Sequence, residues 1–123
     1  MKIFLDDERT PKGMSFTRYP FPVYQDEDWQ IVRTFWEFCN LIQILHKKGD
    51  WPELISFDHD LGVPETSDPN QSYEEKSGYD AAKWLVEFCQ DHNKALPDFI
   101  VHSHNPVGAR NIESFLTNFS KFS

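Results

Sequence analysis

Three short stretches of the chain close an apolar run on ionisable side chains: IFLDDER (3–9), ISFDHDLG (55–62) and FIVHSHN (99–105). Between them they carry Asp6, Asp7, Asp58, His59, His102 and His104, so three of the five histidines fall at these places. Carboxylates held close together repel, and a hard divalent cation is the usual remedy; oxygen ligands suit Mg²⁺, Mn²⁺ or Ca²⁺. Caps on loops and helices, or ion pairs with Arg9 and Arg33, would balance the same charges without a metal. Imidazole shuttles protons near neutral pH, most effectively when one ring acts as base and a second as acid. His102 and His104 are two apart in an extended segment, which predicts a shared face with Ser103 opposite.

The stretch HNPVGARN (104–111) offers Asn105 as an N-cap, free backbone N–H groups and Arg110 nearby. Such a helix start favours a phosphate oxyanion, although it also describes an ordinary capped helix. Arg9 is placed either to clamp a phosphate, whose geometry guanidinium matches, or to pair with the acids beside it. The candidate ligand contacts are thus Arg9, Ser103, Asn105 and Arg110; the candidate metal ligands are Asp6, Asp7 and Asp58. His59, His102, His104 and Asp58 are the candidate catalytic groups. His46 and His92, on polar helix ends, read as structural. The His59–Asp60 pair follows a strand, unlike the helical HD pair of metal-dependent phosphohydrolases. An H-x-H pair with carboxylates could hold zinc or manganese, but the wider spacing of a metallo-hydrolase is missing.

The elements that must position these groups follow from periodicity. Lys2–Leu5, residues 29–33, Leu54–Phe57 and Asp98–Val101 read as strands, and residues 10–28, with Pro11, Pro20 and Pro22, as a long loop. Phe35, Phe38, Ile42 and Leu45 recur at helical spacing after Thr34 as N-cap, with Gly49 as the stop. Ala81, Leu85, Phe88 and Cys89 form the next stripe behind Ser77, after a polar, turn-rich loop over 62–77. Asn105–Pro106 starts the last helix, carrying Ile112, Phe115, Leu116 and Phe119. Strands alternating with helices imply a parallel sheet with right-handed crossovers, and near-continuous apolar strands imply helices on both faces. The expected fold is a small doubly wound α/β sheet of four strands in order 2-1-3-4. Ligands bind such sheets outside the carboxyl ends of the strands, where all three polar clusters fall.

At 123 residues, 39% of them apolar, the chain is expected to be one domain over 1–123 with a full core. A formal charge of −8 disfavours a broad grip on duplex nucleic acid but leaves room for a small anion. No apolar run reaches membrane-spanning length, and Asp6 and Asp7 interrupt what would be a leader. Cys39 and Cys89, each alone in a helical pattern, read as reduced packing residues of a cytoplasmic protein.

Taken together, FLDDERTP, IVRT, ISFDHDLG, GYDAAKWL and HSHNPVGARNI resemble the cyclic-phosphate processing receiver-like domains. These are relatives of response-regulator receivers, proposed to act on cyclic phosphates rather than to relay phosphoryl groups. The resemblance implies that Asp6, Asp7 and Asp58 match the receiver's acidic pair and its aspartate after the third strand. The receiver lysine after a fifth strand has no counterpart, and the loop replaces the first helix; both departures speak against phosphorelay. It further implies an enzyme that hydrolyses or opens a cyclic phosphate on a nucleotide or RNA end, with Mg²⁺ or Mn²⁺ as the candidate cofactor. In that reading His104 or His59 activates water and another imidazole protonates the leaving oxygen. The alternatives are a non-catalytic module that binds a small phosphorylated ligand and a phosphoaspartyl receiver using Asp58.

Overall fold

The computed structural model describes residues 1–62, 68–70 and 74–122, so part of the 62–77 loop lies outside the described residues. In chain order the elements are β1 (Lys2–Leu5), β2 (Trp29–Val32), α1 (Phe35–Lys48), β3 (Leu54–Phe57), α2 (Gly78–His92), β4 (Asp98–Val101) and α3 (Pro106–Phe122). The four strands form one parallel sheet in order β2-β1-β3-β4, the expected receiver-like topology. Local chemistry sets the boundaries. The Thr34 hydroxyl accepts the Glu37 N–H at 3.2 Å, and Gly49 ends α1 in the left-handed region at φ 72°. Ser77 and Asp80 form a reciprocal capping box at the start of α2.

The chain steps from β1 to β2 in one direction, then crosses back over β1 to β3 and β4. Right-handed crossovers place opposite steps on opposite faces. One face therefore packs Ile3, Leu5, Ile55 and Phe57 against all three helices, through residues such as Ile42, Leu85 and Leu116. The other face departs from the expectation of a second helical layer. There Phe4 is buried against Met14 and Tyr24 of the β1–β2 connection, with Tyr19, Trp29 and Ile100 packed around them. Pro11, Pro20 and Pro22 forbid a continuous helix, so the connection folds as two 3₁₀ turns, Lys12–Phe16 and Pro22–Gln25. Its aromatic rings supply the apolar area that a helix would otherwise bring.

Cys39 and Cys89 are buried in α1 and α2, and burial pushes their thiols up to about 12 and about 11. His46 and His92 join Phe88 and Trp51 in an aromatic cluster at the carboxyl ends of α1 and α2. Among the described residues, no helix is long and apolar enough to cross a membrane.

Candidate functional site

Each of three adjacent strands extends its hydrogen-bond ladder by one residue, and those residues are the ionisable ones. Asp6 N–H donates to the Val32 carbonyl, Asp58 N–H to that of Leu5 and His102 N–H to that of Phe57, at 3.1, 2.9 and 2.9 Å. The backbone thus carries Asp6, Asp58 and His102 to one sheet edge, beside the reversal in strand order.

Asp6, fully buried, is the hub. Its Oδ1 accepts the N–H groups of Glu8 and Arg9 at 2.9 and 2.8 Å, closing the turn after β1. Its Oδ2 accepts Arg9 Nε–H at 2.7 Å and His102 Nε2–H at 3.0 Å. Burial alone would push this carboxyl up. The hydrogen bonds from His102, Arg9 and Glu8, with the Arg9 charge, outweigh it and hold Asp6 well below the usual carboxylate range. Arg9 continues the network: Nη2 lies 3.4 Å from Asp58 Oδ1 and donates to the His102 carbonyl, while Nη1 is buried without a hydrogen-bond partner among the described residues. Of its two expected roles, Arg9 takes the ion-pair one. Arg33 does not pair with the acids; its Nη1 donates to the carbonyls of Asp6 and Arg9, pinning the turn.

His102 is completely buried and stacks on Phe4, ring centroids 4.5 Å apart. Since Nε2–H points at an ionised carboxylate, a neutral ring presents Nδ1 as acceptor. Ser56 Oγ then donates to it at 2.6 Å and Tyr24 OH to Ser56 at 2.7 Å. Burial pushes the Tyr24 phenol up to about 12, against the lowering effect of its Ser56 bond. This corrects the expectation that His102 and His104 share a face of the cleft. His102 keeps the strand alternation of Ile100 and points under the aromatic loop, whereas the chain bends at His104 and leaves that side chain exposed. Ser103 is also buried: its Oγ accepts the Asn105 N–H, and its carbonyl accepts Tyr19 OH at 3.1 Å. It shapes the turn and presents no open face to a ligand.

The open part of the site lies at the start of α3. Asn105 Oδ1 accepts the Gly108 N–H at 3.0 Å, the expected cap. The His59 ring lies so close to Gly108 that a Cβ there would overlap it. His59 N–H donates to Asp58 Oδ1 at 2.9 Å, and its Nδ1 lies 3.0 Å from Asp60 Oδ1; among the described residues Nε2 has no hydrogen-bond partner. His104 stands just before the cap, its ring centroid 6.5 Å from that of Tyr19. Arg110 is exposed on the second turn of α3. The sequence reading missed Asp60 as a partner of His59, and Tyr24 and Ser56 as partners of His102. A polar Ser56 inside an apolar strand was the one available signal for the buried chain.

Gly78 anchors the other side. Its N–H donates to the His59 carbonyl at 2.7 Å, and a Cβ at this position would run into the Asp58 backbone. Gly-to-Ala substitution usually helps a helix. Here Gly78→Ala is expected to destabilise the fold by the ~1–3 kcal/mol of an overpacked contact, and a lowered midpoint in a melting curve would show it.

Asp6, Asp7 and Asp58 each offer an oxygen within 4.8 Å of the others. Burial raises the Asp58 carboxyl, and the Asp6 charge adds to it; burial likewise raises Asp7, with Asp6 and Glu8 adding. In both, burial and the neighbouring acids outweigh the Arg9 charge, so the ionised form is disfavoured until a further cation joins them. Asp6 is saturated by four donors, so a hard cation at this edge would take its direct ligands from Asp7 and Asp58. The donor set fits such an ion on those terms.

The family model of the cyclic-phosphate processing receiver domain matches residues 1–118, and the chain belongs to that family. Comparisons with curated proteins and with solved structures returned no match.

Proposed function

We propose that the chain is a phosphoesterase that opens a cyclic phosphate on a nucleotide or RNA end, with His59 and His104 as its proton-transfer pair. The family's description supplies the substrate class. The observation that carries the reading is that two imidazoles, the half-buried one of His59 and the exposed one of His104, stand at the amino end of α3, where backbone dipoles favour a phosphate. One imidazole takes a proton from water as its oxygen attacks phosphorus. The P–O bond to the ribose oxygen then breaks, and the second imidazole protonates that oxygen. Asp60 holds Nδ1 of His59 and so directs Nε2 toward the substrate, the usual arrangement of a base oriented by a carboxylate. His102 serves as a positioning residue: it fixes Asp6, Asp6 fixes Arg9, Arg9 reaches Asp58, and Asp58 accepts the His59 N–H.

Mg²⁺ or Mn²⁺ held by Asp7 and Asp58 would supply neutralisation of phosphate charge at this edge. Excess Mg²⁺ or Mn²⁺ over EDTA is then expected to raise the melting midpoint of the wild type but not of Asp7→Asn or Asp58→Asn. Equal shifts in all three proteins would leave caps and ion pairs as the acids' sole role.

The test is a screen of purified protein against 2′,3′-cyclic and 3′,5′-cyclic nucleotides and an RNA 2′,3′-cyclic end, with and without the two metals. Conversion of at least one supports the reading. Binding without conversion favours a non-catalytic module, and a phosphoprotein formed from small phosphodonors favours an Asp58 receiver. Gly108→Ala gives a second check. The added methyl must displace the His59 ring, so turnover should fall toward the roughly 10²-fold or greater loss expected when general acid–base catalysis fails, with the fold kept. Unchanged turnover would place His59 outside the chemistry.

A further inference from the structure

A groove of about 390 Å³ runs along the outer edge of β4, between the aromatic loop and α3. Residues 99–101 form its floor, Tyr19 and Phe21 one wall, and Glu113 and Thr117 of α3 the other. We infer that this groove is a nucleobase subsite selective for guanine. The inference rests on the cyclic-nucleotide reading above and deepens it by naming the base.

Continuity with the site is the first ground. Tyr19 lines the groove and also belongs to the site, donating to the Ser103 carbonyl at 3.1 Å with its ring beside His104. From Pro106 to Glu113 along α3 is about 10 Å at a rise of about 1.5 Å per residue. That is the reach of a single nucleotide from its phosphate to the far edge of its base.

Preorganisation is the second. Phe21 is 43% exposed, yet its ring is stacked on Tyr24 at 6.0 Å between centroids, and Tyr24 is itself held by Ser56. A large exposed aromatic fixed from behind is a platform on which a base can stack.

Polar complementarity selects the base. Apart from Tyr19, whose hydroxyl is taken by the Ser103 carbonyl, the polar side chains of the lining are Glu113 and Thr117, one turn apart and so on the same face of α3. A carboxylate only accepts hydrogen bonds. Guanine presents two donors side by side, N1–H and the N2 amino group, with O6 next to them for the Thr117 hydroxyl. Adenine and cytosine set one amino donor beside an acceptor, and uracil flanks its N–H with two carbonyls. Each would turn an acceptor toward a carboxylate oxygen.

The experiment is a titration of ¹⁵N-labelled full chain with guanosine, adenosine, cytidine and uridine. These nucleosides carry no phosphate, so the readout is independent of turnover. Guanosine is expected to bind tightest and to shift the amides of Tyr19, Phe21, residues 99–101 and Glu113. Glu113→Gln should weaken guanosine about tenfold and uridine little, whereas Phe21→Ala should weaken all four. Both side chains are exposed, so the variants keep the fold. Equal affinity for guanosine and uridine, shifts confined to other surfaces, or full guanosine affinity in Glu113→Gln would each overturn the inference. If guanosine occupies the groove while no cyclic phosphate is converted, the base site stands and the catalytic reading falls.

Discussion

Asp6→Asn is expected to lower the thermal midpoint by roughly 10 °C or more, taking about 3–5 kcal/mol as the cost of breaking a buried charge pair. The carboxylate is fully buried and accepts two backbone N–H groups, the Arg9 guanidinium and the His102 ring. An amide keeps the shape but loses the charge, and its NH₂ faces donors. It leaves Arg9 mostly buried with only its longer 3.4 Å pair to Asp58, and the 6–9 turn loosened. Measured against a usual total of about 5–15 kcal/mol, this is a large share of the stability. Acid titration gives an independent check. The Asp6 carboxyl is depressed in the folded state, so its contribution is fully present above the ordinary aspartate value of about 4 and is lost as pH falls below it. Wild-type stability should fall steeply there, and Asp6→Asn should flatten that fall. Asp58 offers the contrast. Its carboxyl is raised, chiefly by burial, so the ionised form is disfavoured in the folded state and Asp58→Asn should cost far less. Equal losses in the two variants would contradict the division between a structural Asp6 and an open Asp58.

What the sequence shows well is what local chemistry decides. The apolar runs of four residues, the Thr34 and Ser77 caps, Gly49 and the Asn105–Pro106 start each carry their own signal, and the structure has them all where expected. Strand alternation with helices fixes the parallel order, and that order brings Asp6, Asp58 and His102 to one edge. The burial of His102 was not legible, because it depends on residues 10–28, which show no period. Once Met14 and Tyr24 cover the sheet, a histidine at a strand end becomes a core residue. The roles of Gly78 and Gly108 were also hidden, since each is set by the approach of a distant backbone or ring rather than by its neighbours in sequence. Asp60 was visible only as half of a dipeptide whose helical context is missing here.

His59→Ala and His104→Ala should each fold, since one side chain is half-buried at the surface and the other exposed. If they form the proton-transfer pair, each should lose on the order of 10²-fold or more in kcat on a cyclic phosphate with much less change in KM. His102→Ala should behave differently. It removes a buried ring between Ser56 and Asp6, so its loss of turnover should come with a lowered midpoint.

The most direct measurement is the pH dependence of cyclic-phosphate turnover by wild type, His59→Ala and His104→Ala. A bell-shaped wild-type profile that loses one limb in each variant, with the double variant hardly slower than the worse single one, is the expected result. Near-native turnover in both variants, with the two-limbed profile intact, would contradict the assignment of acid–base chemistry to these two histidines.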